Sequence, residues 1–153
     1  MILDERNEFA DATALNTGGA GTYLVGDVID LGLLYGGTVG DNVNLVEDLY
    51  LVVQVDTTAT SGGSATGQFH LVSDAQAAIA TDGSATYHFS TGAIPVATLV
   101  AGYEIAMVRL PKGTYERYLG ILQTTGTAAF TAGKVNAFLT MTPKAHRNFP
   151  DAI

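Results

Sequence analysis

From Asp27 onward the chain repeats one theme: short β-branched and aromatic runs, each bounded by Gly, Asp, Ser or Pro. Runs of this kind are the signature of antiparallel sheets folded into a sandwich or barrel. The candidate strands are Asp27–Leu31, Leu49–Asp56, Thr66–Ser73, Ser84–Ser90, Ile94–Val100, Tyr103–Leu110, Tyr115–Thr124 and Lys134–Thr142. Eight such strands suit an all-β, antiparallel, jelly-roll-like sandwich.

Alternation supports individual strands. Leu49, Leu51, Val53 and Val55 share one face of a strand while Tyr50, Val52, Gln54 and Asp56 share the other, which fits a central position. In Tyr115–Thr124 both faces are partly apolar, as in a strand between two layers or at an assembly surface. Pro111-Lys112-Gly113 reads as a hairpin turn, because proline presets one torsion and glycine accepts a positive one. Ser73–Ala80 has four alanines behind a Ser or Asp cap, which predicts a single helical turn. Gly63-Ser64-Ala65-Thr66 recurs as Gly83-Ser84-Ala85-Thr86, but two copies fall short of a repeat architecture and read as recurring turn residues.

The amino-terminal residues differ. Ile2, Leu3 and Phe9 stand among Asp4, Glu5, Arg6, Glu8 and Asp11, and residues 12–24 are mostly Ala, Thr, Gly and Asn. That composition predicts an extended arm and flexible linker over 1–24, a β-sandwich domain over 25–143 and a tail over 144–153. Ile2, Leu3 and Phe9 are then candidate contacts to a neighbouring subunit or another surface; the alternative is that the arm folds back over an edge of its own sandwich.

At 153 residues the chain is sized for one core, and 47% hydrophobic against 14% charged residues leaves apolar surface for a partner. Net charge is −8, with 7 Lys+Arg against 15 Asp+Glu, so phosphate neutralisation has few residues to draw on and nucleic acid is not an expected partner. The absence of cysteine excludes disulfides, thiolate nucleophiles and Cys-type zinc sites. Met1–Arg6 lacks the order of a signal peptide and no window is apolar enough for a membrane helix, so a soluble protein made in a cytoplasm is expected.

Motifs that carry chemistry are thin. His70, His88 and His146 show no metal-ligand spacing. Ser73, His70 and Asp74 can be drawn as a triad, but no Gly-x-Ser-x-Gly elbow accompanies them. Asp27 with Asp30 and Glu47 with Asp48 are carboxylate pairs in a chain without the tryptophan platforms of a glycosidase cleft. Asp41-Asn42-Val43-Asn44 begins like a calcium loop, yet Leu45 holds the next ligand position. Gly18-Gly19-Ala20-Gly21 lacks the Lys-Ser/Thr of a phosphate cradle and reads as flexible. No catalytic, cofactor or metal residue is assigned, and an enzyme is not expected.

Met1-Ile2-Leu3-Asp4, Val28-Ile29-Asp30-Leu31-Gly32 and Leu49–Asp56 appear in an order that continues with Gly92-Ala93-Ile94-Pro95, Leu99–Tyr103 and Arg117-Tyr118-Leu119. Phe130–Val135 and Ala137-Phe138-Leu139 complete it. In this order and spacing the chain resembles the jelly-roll capsid cement, or decoration, proteins of short-tailed bacteriophages, of the Bordetella phage type. Leu33–Glu47 departs from that pattern, being longer and less acidic. The resemblance implies a structural protein on the outer surface of the virion capsid, bound to the major capsid protein and to itself as a homodimer or trimer. It would bridge neighbouring capsomers. The rival readings are a neck, tail or fibre module of a virion, and a carbohydrate-binding or hydrolytic jelly roll.

Overall fold

A computed structural model describes residues 5–31 and 48–143. A 3-10 turn, Glu5–Asn7, leads into β1 (Glu8–Ala14), β2 (Gly21–Asp30), β3 (Tyr50–Ser61), β4 (Thr66–Asp74), β5 (Thr86–Ser90) and β6 (Ile94–Pro95). A second 3-10 turn, Val96–Thr98, cuts short the strand expected over Ile94–Val100, and β7 (Glu104–Arg109), β8 (Tyr118–Gly126) and β9 (Phe130–Thr140) follow. One sheet has the order β1-β9-β3-β7 and the other β2-β8-β4-β5, with the two-residue β6 added to β4. All pairings are antiparallel. The chain crosses between sheets at nearly every connection, and this interleaved order is that of a jelly roll. The all-β sandwich expected from the sequence is therefore present, with nine strands among the described residues.

β3 lies between β9 and β7, so its central position holds. Leu51, Val53 and Val55 point into the core and meet Phe69, Leu71, Leu119, Ile121 and Val135 from the two sheets. Gln123 is fully buried in this core without loss, because its side chain accepts the Asn16 N–H at 3.0 Å and donates to Asn16 O at 3.2 Å and Thr125 Oγ1 at 2.8 Å. These bonds clamp the β1–β2 turn to β8.

The amino-terminal expectation is corrected in two places. Residues 12–24 are not a continuous linker: they contain the end of β1, a turn and the start of β2. Phe9 is not a free contact residue but a core residue at 1% exposure. β1 pairs with β9, and its irregular register is held where the Ala12 N–H donates to Asn136 Oδ1 at 2.6 Å. Backbone pairing decides the structure here despite weak side-chain propensity. Ile2 and Leu3 lie outside the described residues, as do Asp41–Asn44, Glu47, His146, the Leu33–Glu47 departure and the 144–153 tail.

Two local expectations also change. Pro111-Lys112-Gly113 joins β7 to β8, which belong to different sheets, so the turn makes an inter-sheet crossing rather than a hairpin. Tyr115 fixes that crossing by donating from Oη to Pro111 O at 2.6 Å. Residues 75–78 form bends and 79–80 are irregular, with no helical turn, because the Asp74 carboxylate accepts the N–H groups of both Gln76 and Ala80 and rounds the chain into a loop. That loop lays Ile79 and Ala85 against Val72 and Leu122 on the outer face of the β2-β8-β4-β5 sheet. It is the second layer that makes both faces of β8 apolar. Gly120 allows the approach, since a Cβ there would collide with Ile79 Cδ1.

Candidate functional surfaces

The histidines, serines and acids that invite a catalytic reading are distributed into separate structural contacts. His70 on β4 shares hydrogen bonds with Ser90 Oγ on β5 at 2.7 Å and Thr124 Oγ1 on β8 at 3.1 Å. Tyr87 meets its ring edge-on, with centroids 5.1 Å apart. Ser73 instead pairs with His88: Ser73 Oγ lies 2.8 Å from His88 Nε2 and accepts the Glu116 N–H at 3.1 Å. Asp74 is occupied by loop amides. The structure thus does not bring Ser73, His70 and Asp74 together as a triad.

Sequence spacing missed the Ser73–His88 pair, which is legible only from the β4–β5 register. Its geometry resembles a nucleophile and base, but Ser73 has no exposed surface, and His88 stacks on Tyr115 at 3.8 Å between centroids. Burial pushes the Tyr115 hydroxyl up to about 12, which keeps it neutral. The arrangement ties β4, β5 and the chain entering β8 to one another.

The carboxylates have structural partners as well. Asp30 receives both Arg117 Nε at 3.0 Å and Arg117 Nη2 at 2.9 Å, a bidentate pair that raises the Arg117 pKa. Asp48 pairs with Arg109. Asp27 is exposed on β2. Among the described residues no group of three or more His, Cys, Asp or Glu side chains converges as a metal site would. Gly18–Gly21 forms an ordered turn in which the Gly18 N–H donates to Asn16 Oδ1 and Tyr23 Oη donates to Gly19 O.

The most distinctive surface comes from charge placement. Residues 12–26, 57–73, 83–103 and 118–133 contain no Asp, Glu, Lys or Arg. The fold sends the turns within these stretches to one end of the sandwich: the β1–β2 turn, the β3–β4 turn, the segment between β5 and β7, and the β8–β9 turn. Backbone and side-chain bonds join them, with Val96 N–H to Ala65 O at 2.9 Å, Ala59 N–H to Leu99 O at 2.8 Å and Ser61 Oγ to Ala129 O at 2.6 Å. Val100 stands out from this end at 46% exposure. The opposite end carries Asp30, Asp48, Arg109, Lys112, Glu116 and Arg117. Among the described residues no helix is long and apolar enough to cross a membrane.

No curated protein matches the chain. The family model Bbp16, a name taken from a Bordetella phage protein, matches residues 9–139. The matched region runs from Phe9, the first core residue of β1, to Leu139, the last core residue of β9, so it takes in all but the outermost residue at each end of the described sandwich, and the chain belongs to the Bbp16 family.

Proposed function

We propose that this protein is a structural virion component acting as capsid cement: it binds the outer surface of a tailed-phage head and bridges neighbouring capsomers, as a homodimer or trimer, without catalysing a reaction. The observation that carries this reading is the uncharged end of the sandwich in a chain of net charge −8 that belongs to a phage family. Interface cores are depleted of charge, because a charge buried at a contact must be desolvated and paired. An end built from Thr, Ser, Gly, Ala and a projecting Val100 meets a protein surface without that cost.

Bridging needs a second contact. We assign Ile2 and Leu3 to it, since Glu8, to which they lead, pairs with Phe138 towards the other end of the sandwich. Two modest contacts on one rigid body reinforce each other once the first has formed, and a protein that binds only the assembled shell stabilises that state.

Placing a charge at the uncharged end tests the reading. In binding to heads stripped of the protein, Val100→Lys is expected to weaken association about tenfold, the equivalent of ~1.4 kcal/mol. Ala77→Lys, at an exposed residue of the loop over the outer face of the β2-β8-β4-β5 sheet and away from both assigned contacts, leaves it unchanged. Wild-type binding by Val100→Lys, with its melting temperature also unchanged, contradicts the assignment of that end.

A further inference from the structure

β5 is the edge strand of its sheet, and four residue pairs join it to β4, with a register irregularity between Leu71 and Val72. Two Ser–His contacts reinforce this short ladder in opposite senses. His70 on β4 reaches Ser90 on β5, and Ser73 on β4 reaches His88 on β5. On β4 the contacts fall at the two ends of the paired segment, and on β5 at its last residue, Ser90, and its middle residue, His88, so β5 is pinned at two points through an imidazole.

From this geometry we infer that β5 is an acid-released latch, in which charging His70 and His88 detaches the edge strand while the remainder of the sandwich stays folded. The surroundings of each ring favour the neutral form in the closed state. His70 faces Ser90 and Tyr87 from β5 and Thr124 from β8, and burial lowers its pKa. His88 faces Ser73 from β4, and Tyr115 and Glu116 from the segment entering β8; burial lowers its pKa against a weaker opposing pull from Glu116. Tyr115 is neutral throughout, and Arg117 is engaged with Asp30 on β2. Asp74 and Asp82 hold the loop that precedes β5, and the bonds from Ser84 lower the Asp82 pKa, so that carboxylate stays ionised when the histidines titrate.

The sign follows from linkage. Each histidine has a lower pKa in the closed state than when β5 is detached and solvated, so the open state binds protons more readily. The stabilisation is complete above the ordinary histidine pKa and is lost as the pH falls from there through the lowered values. Detachment leaves the β4 backbone between His70 and Ser73 as an open edge, a template for pairing with another strand.

Hydrogen exchange of the full chain, corrected for the intrinsic rate at each pH and resolved by segment, tests the latch. Between about pH 7.5 and about pH 5, protection of residues 86–90 is expected to fall about tenfold or more, while the β3–β9 and β4–β8 ladders change much less. The His70→Gln and His88→Gln variants each lose part of that pH dependence, and the double variant loses it whatever its absolute stability. Three results overturn the proposal: a flat profile for β5 in the native chain, an equal fall across all strands, or a fall that persists in the double variant.

Discussion

Replacing Phe9 by alanine is expected to destabilise the folded chain by about 3–5 kcal/mol, the usual cost of emptying a buried aromatic site. Phe9 is 1% exposed and packs in the main core from β1, an outer strand of its sheet. Its removal leaves a cavity and also weakens the strand that carries it, since β1 is short and its register with β9 is irregular. Chemical denaturation should show the midpoint moving to lower denaturant with little change in slope. A loss below about 1 kcal/mol would place the side chain outside the core and return it to the role of a surface contact.

Gly26→Ala is expected to cost about 3 kcal/mol or more, although it adds one methyl group. Gly26 has φ +69°, a conformation that L side chains rarely adopt, and a Cβ there would overlap the carbonyl oxygen of Phe9. It lies in the irregular stretch of the β2–β8 pairing between Val25 and Ile29, where β1 comes close to β2. The obstructing atom is backbone, so no side chain can swing aside. Gly19→Ala is the matched control, because a Cβ at Gly19 meets nothing within 4 Å. Comparable thermal midpoints for the two variants would contradict the close approach of β1 to β2.

These two positions also explain which parts of the fold could be read in the sequence. Strands rich in Val, Ile, Leu and aromatic residues, such as β3 and β4, are legible from composition, and in β3 the alternation of Leu51, Val53 and Val55 also reports which face is buried. β1 has the sequence Glu-Phe-Ala-Asp-Ala-Thr-Ala, in which one large apolar side chain gives no period, and it is a strand because β9 offers a backbone to pair with. β2 looked as though it began at Asp27 because Gly26 reads as punctuation, whereas the strand runs through that glycine from Gly21. Turn chemistry at Pro111–Gly113 was correctly visible, but a turn does not reveal that its flanking strands enter different sheets. The alanines after Asp74 favour helix only until the Asp74 carboxylate captures two of the amides.

The candidate surfaces divide in the same way. The four charge-free stretches are plain in the sequence, yet they acquire meaning only when the jelly roll gathers their turns at one end. The Ser–His contacts depend on the β4–β5 register, and no spacing along the chain encodes that His88 meets Ser73 while His70 meets Ser90.

The central proposal, that the protein is cement on a phage head, is tested most directly by its copy number in purified particles. Quantitative mass spectrometry against the major capsid protein is expected to find hundreds of copies per particle, in a fixed ratio to the capsid subunits, because a bridge between capsomers repeats wherever the lattice repeats. A count of about six or twelve would instead place the protein at a unique vertex or in the tail, and its absence from particles would contradict a structural role in the virion.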